Sequence, residues 1–165
     1  MELYLLRHAH AGNPDEWTGD DAERPLSAKG RRQAAQLGSF LAERGFTVDT
    51  IVTSPKLRAL QTAELVAPQI GARYESDHRL AVPLDLDLLN NVVRDAGGRK
   101  VMLVGHDPDF SDLCGELIGA LGLPLKKGAL ARLDGPLPLR ARGATLRWLV
   151  SPDLIQRKGS ESHAP

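Results

Sequence analysis

Cys114 is the one cysteine in this 165-residue chain. That excludes an internal disulfide framework and a thiolate cluster for zinc. Aromatic residues are scarce, at 4%, too few for a stacking platform that binds single-stranded nucleic acid. Net charge is missing as well, with 21 Lys and Arg set against 21 Asp and Glu. With neither a basic excess nor a basic stripe, no generic nucleic-acid partner is expected. No apolar run reaches the roughly 20 residues of a spanning helix. Met1 leads into a strand-like run, not into a basic segment with an apolar signal core. These absences predict a soluble, cytoplasmic protein without a membrane partner. The length predicts one domain with a sizeable core, here residues 1–152, followed by a polar C-terminal tail over 153–165.

What the sequence does contain is an alternation of strand and helix signals. Glu2 to Arg7, Val48 to Thr53 and Lys100 to Gly105 read as strands. The last is continuously apolar, as in a sheet covered on both faces. Ser27 to Arg44 reads as a helix with Ser27 as N-cap and Gly45 as the C′ residue. Ser54 reads as the cap of a second helix with Pro55 in its first position, and Asp107-Pro108 repeats that start. Phe110, Leu113, Cys114, Leu117, Ile118 and Leu121 follow the helical period, which makes Cys114 a core residue. In Leu84 to Ala96 the spacing of Leu88, Leu89, Val92 and Val93 favours a helix over a strand. Ala129 to Asp134 and Ala144 to Ser151 read as a late antiparallel pair. This order predicts a three-layer α/β/α sandwich with a mostly parallel central sheet, right-handed crossovers and an antiparallel edge.

In such a sheet the strand–loop–helix junctions open on one edge, where α/β folds place their sites. His8, Arg58 and His106 fall at three of those junctions, and Arg7 precedes His8. Two imidazoles and two guanidinium groups suit a phosphoryl dianion, whose transfer is mostly a matter of positioning and charge stabilisation. Arginine offers a planar fork that never loses its proton. Arg58 stands near the start of its helix, where anions are favoured. Thr62, one turn on, is placed to orient the guanidinium. A neutral imidazole can attack phosphorus while a second, cationic one donates to a phosphate oxygen. His8 is assigned as nucleophile and His106 as donor, although spacing alone allows the reverse. Consecutive side chains on a strand point apart, so a kink is expected at Arg7-His8.

The segment Arg7-His8-Ala9 resembles the Arg-His-Gly signature of the histidine phosphatase superfamily, with its phosphoglycerate mutase-like fold. Ser54-Pro55-Lys56-Leu57-Arg58-Ala59-Leu60-Gln61-Thr62-Ala63 matches that family's second motif and Gly105-His106 its third. The resemblance implies that His8 is phosphorylated and that Arg7, Arg58 and His106 bind the phosphoryl group. The small size, the form Arg7 to Ala11, and Pro25-Leu26-Ser27 before a glycine resemble the phosphohistidine phosphatases of the SixA type. Ala9 departs from the superfamily glycine. Many relatives also carry a Glu or Asp as general acid after the strand that follows the second helix. Asp77 precedes Leu80 and Asp85 lies beyond Pro83, so neither matches that position.

A missing acid has a chemical reading. An alkoxide leaving group needs a proton in the transition state, whereas the imidazole of phosphohistidine, protonated on its remote nitrogen, leaves as a neutral ring. The expected function is therefore a metal-independent phosphatase that hydrolyses phosphohistidine on proteins, without cofactor. A phosphomonoesterase for small metabolites and a catalytically idle phosphate-binding module are the alternatives, so the partner is a phosphorylated protein or a small phosphate. A metal site from His8, His10, His78 and His106 lacks carboxylates at ligand-like spacing, and His10 reads as a rim or surface residue. Asp15, Glu16, Asp20, Asp21 and Glu23 read as a solvated acidic loop, with Trp17 as its anchor or a contact residue. Lys126-Lys127 and Arg140 to Arg147 read as exposed charge.

Overall fold

The computed structural model describes residues 1–156. Six strands form one sheet: β1 (Glu2–Arg7), β2 (Thr50–Thr53), β3 (Tyr74–Ser76), β4 (Lys100–Gly105), β5 (Leu130–Asp134) and β6 (Thr145–Val150). Their spatial order is β3-β2-β4-β1-β5-β6. The pairs β3/β2, β2/β4 and β4/β1 are parallel, while β1/β5 and β5/β6 are antiparallel. This is the mostly parallel sheet with a late antiparallel edge that the element order implies.

The central strands have no solvent face. Leu3 to Leu6 and Val101 to Val104 are all essentially inaccessible. Successive side chains alternate between faces, so Leu3, Leu5, Val101 and Leu103 join one core while Tyr4, Leu6, Met102 and Val104 join the other. The first core is closed by α3 (Leu86–Ala96) and α4 (Asp109–Ile118), through Leu89, Val92, Val93, Phe110, Leu113 and Leu117. The second is closed by α1 (Ala28–Ala42) and α2 (Leu57–Val66), through Ala34, Leu37, Leu41, Ala59, Ala63 and Val66. Cys114 lies in the first core, and burial pushes its thiol up to about 12.

Element ends differ from the sequence expectation by about two residues. Ser27 does cap α1, its Oγ accepting the Gly30 N–H at 3.1 Å, but the helix ends at Ala42 and not at Arg44. The short edge strand β3 was not anticipated; its three residues are all exposed and carry no apolar pattern. The tail expected from Asp153 begins differently. Pro152–Ile155 forms a short helix, α5, and Ile155 packs toward the second core; 157–165 lies outside the described residues.

The register is what positions the site. Arg7 pairs with Gly105 across β1 and β4, and Thr53 pairs with Val104 across β2 and β4. His8, His106 and Ser54 are therefore the residues with which three neighbouring parallel strands emerge from the sheet.

Candidate active site

The exit of β1 is held by the turn that leads into its neighbour β5. Gly128 donates its N–H to the carbonyls of both Arg7 (3.1 Å) and His8 (3.0 Å), while the His8 N–H reaches Gly105 O at 2.9 Å. These bonds fix the chain where β1 ends, and the Arg7, Arg58 and His106 side chains all act on the His8 ring. The His8 and His106 ring centroids are 5.3 Å apart.

His8 is buried, and its Nδ1 lies 2.7 Å from the Ala9 carbonyl oxygen. A carbonyl only accepts, so Nδ1 carries the proton and Nε2 keeps its lone pair. Burial, with the nearby His106, Arg58 and Arg7, lowers its pKa to about 3 despite the opposing Ala9 bond. The ring is thus neutral, with its free nitrogen defined by its own backbone. Ala9 donates its N–H to Thr62 Oγ1 at 3.1 Å, and Thr62 donates to the Arg58 carbonyl at 2.7 Å. Thr62 therefore ties α2 to the segment after His8 and does not orient the Arg58 guanidinium. Its hydroxyl proton is already used, which corrects its reading as a substrate ligand.

His106 is likewise pushed down to about 3, first by burial and then by Arg58 and Lys56. The cationic donor expected at this position is a neutral ring in the free protein. Its Nε2 lies 2.8 Å from Ser54 Oγ. Ser54 Oγ also accepts the Lys56 N–H at 3.3 Å, and with one proton and a second lone pair it serves either ring tautomer. When Ser54 donates to Nε2, the ring N–H lies on Nδ1, the buried ring atom without a partner. Ser54 is not the cap of α2, which begins at Leu57 with no side-chain cap. It is a site residue that sequence reasoning assigned to local structure. The signal was available, since Ser54 ends a buried strand just as His106 does.

The two arginines are each held by one nitrogen or two and leave another unused. Arg7 Nη1 donates to Leu125 O at 2.7 Å and sits 3.2 Å from Asp107 Oδ2. Arg58 donates through Nη1 to Asp21 O (2.7 Å) and through Nη2 to Asp21 Oδ2 (2.9 Å). Among the described residues, the buried side-chain polar atoms without a partner are Arg7 Nε, Arg58 Nε and His106 Nδ1. All three belong to predicted phosphoryl ligands, and a tetrahedral oxyanion supplies the acceptor that each arginine Nε–H lacks, and that the His106 ring lacks when its proton lies on Nδ1.

Asp21 overturns the solvated reading of the acidic loop at one position. Besides Arg58 it accepts from Arg24 Nε at 3.0 Å, and Arg24 is itself buried with Nη1 on Ala11 O at 2.8 Å. The Arg24 hydrogen bond, aided by Arg58, holds the Asp21 carboxyl below its ordinary range. Trp17 anchors the loop to itself, through Nε1 to Asp20 O at 2.9 Å, and not to the sheet. His10 stands at the rim, half-buried, with Nδ1 2.6 Å from Ser27 Oγ. Among the described residues, no group of three His, Cys, Asp or Glu side chains could hold a metal ion.

A sequence profile of the histidine phosphatase superfamily (branch 1) matches residues 3–81. A probable phosphoglycerate mutase GpmB of Salmonella arizonae is 33% identical over 161 residues, 92% of this chain and 74% of that protein. The chain belongs to the histidine phosphatase superfamily. An uncharacterized protein of Picosynechococcus is 34% identical over 116 residues, 68% of this chain and 70% of its own. The protein histidine phosphatase SixA complexed with tungstate superposes with a TM-score of 0.80 at 23% identity, over 94% of this chain and 100% of that one. A putative phosphohistidine phosphatase SixA from Agrobacterium tumefaciens gives 0.73 at 25% identity, over 92% and 97%. Histidine phosphatases are phosphatases or mutases. Among the described residues no helix is long and apolar enough to cross a membrane.

Proposed function

We propose that this histidine phosphatase hydrolyses phosphohistidine on proteins, through a phosphohistidine of its own at His8 and without a metal ion, with residues 1–152 as the catalytic domain. The observation that carries this reading is the state of the carboxylates around the site. Asp21 is tied to Arg58 and Arg24, and Asp107 to Arg7 and Ser111. Asp77 is tied to Arg79, Asp85 caps α3, and Asp109 accepts the Leu84 N–H. Hydrogen bonds from arginine depress Asp21 and Asp77, and a carboxylate so depressed has no proton to give. An alkoxide leaving group requires that proton. A phosphohistidine ring does not.

His8 Nε2 attacks phosphorus in line while Arg7 Nε, Arg58 Nε and His106 Nδ1 donate to the peripheral oxygens. The P–N bond of the substrate breaks, and its electron pair goes to a ring protonated on its remote nitrogen, which departs neutral. Water then attacks the phosphoryl group on His8, loses a proton and releases inorganic phosphate, restoring Nε2. The SixA structure that carries tungstate, a tetrahedral oxyanion, supports such a site. The probable phosphoglycerate mutases among the relatives favour a second reading, a small phosphorylated metabolite.

Turnover of a phosphohistidine protein, a phosphoserine peptide and a panel of sugar phosphates separates the two. The proposal expects the phosphohistidine protein to lead by about two orders of magnitude, the usual contribution of a general acid. It also expects an acid-labile label on His8, absent in His8→Ala, and activity that survives chelation. Equal turnover of a simple alkyl phosphate would overturn it.

A further inference from the structure

We propose that the basic groove beside His8 binds an acidic peptide segment flanking the phosphohistidine of a protein substrate; this rests on the function proposed above. The groove has a volume of about 480 Å³ and is bordered by Arg7, His10, Lys29, Lys126 and Lys127, with Asp153 at its margin.

Its walls are built from the same elements that hold the nucleophile. The turn carrying Lys126 and Lys127 is clamped to the exit of β1 by Gly128, whose N–H bridges the Arg7 and His8 carbonyls. The opposite wall is the first turns of α1, where Ser27 bonds the His10 ring and Gln33 Oε1 accepts the His10 N–H at 3.0 Å. The side chains of Lys29 and Lys127 have no ion pair or hydrogen bond among the described residues. Lys126 reaches Asp153 only at 3.8 Å, with both side chains about 70% exposed, a pair worth little in water. The cations press on one another. Burial first, and then Arg7, Arg24, Arg58 and Lys29, lower the Lys127 pKa, and Lys127 and Lys29 add to the burial that lowers His10.

In a chain of zero formal charge this is a local segregation of positive charge at the mouth of the site. Arg7 belongs to both regions, so a phosphoryl group on His8 and an anion in the groove are neighbours. A site for a small molecule encloses most of its ligand. Here Lys29 and Lys126 are exposed, so the groove is open and spread out. That shape fits carboxylates spaced along a chain and not a compact second phosphate. Complementary charge at such a rim selects partners and speeds encounter.

The test uses the full chain and the triple variant Lys29→Gln/Lys126→Gln/Lys127→Gln. Substrates are phosphoramidate and two phosphohistidine peptides of equal length, one flanked by glutamates and one by lysines. The expected wild-type preference in kcat/KM for the acidic peptide is about tenfold, and it collapses toward unity in the variant. Phosphoramidate turnover stays within about twofold, because no catalytic group has been changed. Equal use of both peptides by the wild type, or an undiminished preference in the variant, overturns the proposal. A parallel loss on phosphoramidate also overturns it, since the lysines would then serve the phosphoryl group itself.

A binding arm does not depend on turnover. Fluorescence anisotropy of an unphosphorylated polyglutamate peptide on His8→Ala should show binding that weakens about tenfold with the lysines removed and fades with salt. Binding there without phosphohistidine turnover would sink the proposed activity but keep the groove. Turnover with no lysine-dependent peptide binding would do the reverse. Competition by pyrophosphate alone, or peptide binding that appears only when the chain stops at Gln156, would assign the groove to a small anion or to the chain's own terminus and overturn the proposal.

Discussion

Replacing Ser54 with alanine removes one oxygen that lies fully buried and 2.8 Å from His106 Nε2. The Ser54 backbone stays in place, since its N–H bonds Val104 O at 2.9 Å. What is lost is the hydroxyl that holds His106 Nε2, together with an acceptor for the Lys56 N–H. A buried hydrogen bond contributes about 1 kcal/mol net, and an abandoned buried partner costs about 1–3 kcal/mol. If about 1.4 kcal/mol of that falls on the transition state, turnover drops about tenfold. The remainder, about 1 kcal/mol, lowers Tm by about 2–4 °C in a chain of this size. Single-turnover labelling of His8 with phosphoramidate should slow by the same factor as steady-state turnover. The decisive comparison is a double-mutant cycle with His106→Asn, in which Ser54→Ala should add less than about twofold because its target is gone. Two results would refute the reasoning: labelling at the wild-type rate in Ser54→Ala, or an undiminished tenfold loss in the His106→Asn background.

Asp21→Asn frees Arg58 from a competing carboxylate. Inorganic phosphate and tungstate should inhibit about fivefold more tightly, the effect of an ion pair of about 1 kcal/mol, and an unchanged inhibition constant would show that Asp21 does not contend for the guanidinium. The acid limb of kcat/KM, corrected for titration of the substrate, should lack a midpoint near 6.5. With His8 pushed down to about 3, its lone pair persists through pH 5 and activity falls only as the pH approaches 3; a midpoint between 6 and 7 would refute the neutral, buried nucleophile. The same shift acts on stability. Because the folded pKa lies below the unfolded one, the unfolded chain takes up the proton first, so stability is complete above about pH 6.5 and declines toward pH 3 by up to about 1.4 kcal/mol per pH unit for His8. Thermal melts of His8→Asn should therefore depend less on acid than those of the wild type. Gly30→Ala forces a Cβ against the His10 carbonyl oxygen, and an overpacking cost of about 3 kcal/mol should appear as a Tm loss of several degrees.

The sheet and the meeting of His8 with His106 at its edge were legible in the sequence because they rest on local pattern. Apolar runs ending in Arg7-His8 and Gly105-His106 name both the strands and the edge on which their ends meet. The parts that were not legible depend on partners far apart along the chain. Asp21 reads as solvated until the fold lays it across Arg58, 37 positions away. Ser54 satisfied a helix-cap pattern, and only the β2/β4 register sets it against His106. The neutral state of His106 follows from burial, which no spacing reveals. Lys126 and Lys127 read as ordinary exposed charge because nothing local shows that Gly128 fastens them to the first strand.

That last attachment bears on how this scaffold diversifies. A single amide on the 126–128 turn grips two successive carbonyls beside the His8 ring, so the proposed docking surface and the backbone that carries His8 are one mechanical piece. Side chains on the turn are free to be exchanged, since the grip is made by main chain alone. Insertions or deletions there are not, because shifting the turn by a single residue would loosen the hold on His8. Selectivity in such a protein is open to change by substitution and closed to change in loop length.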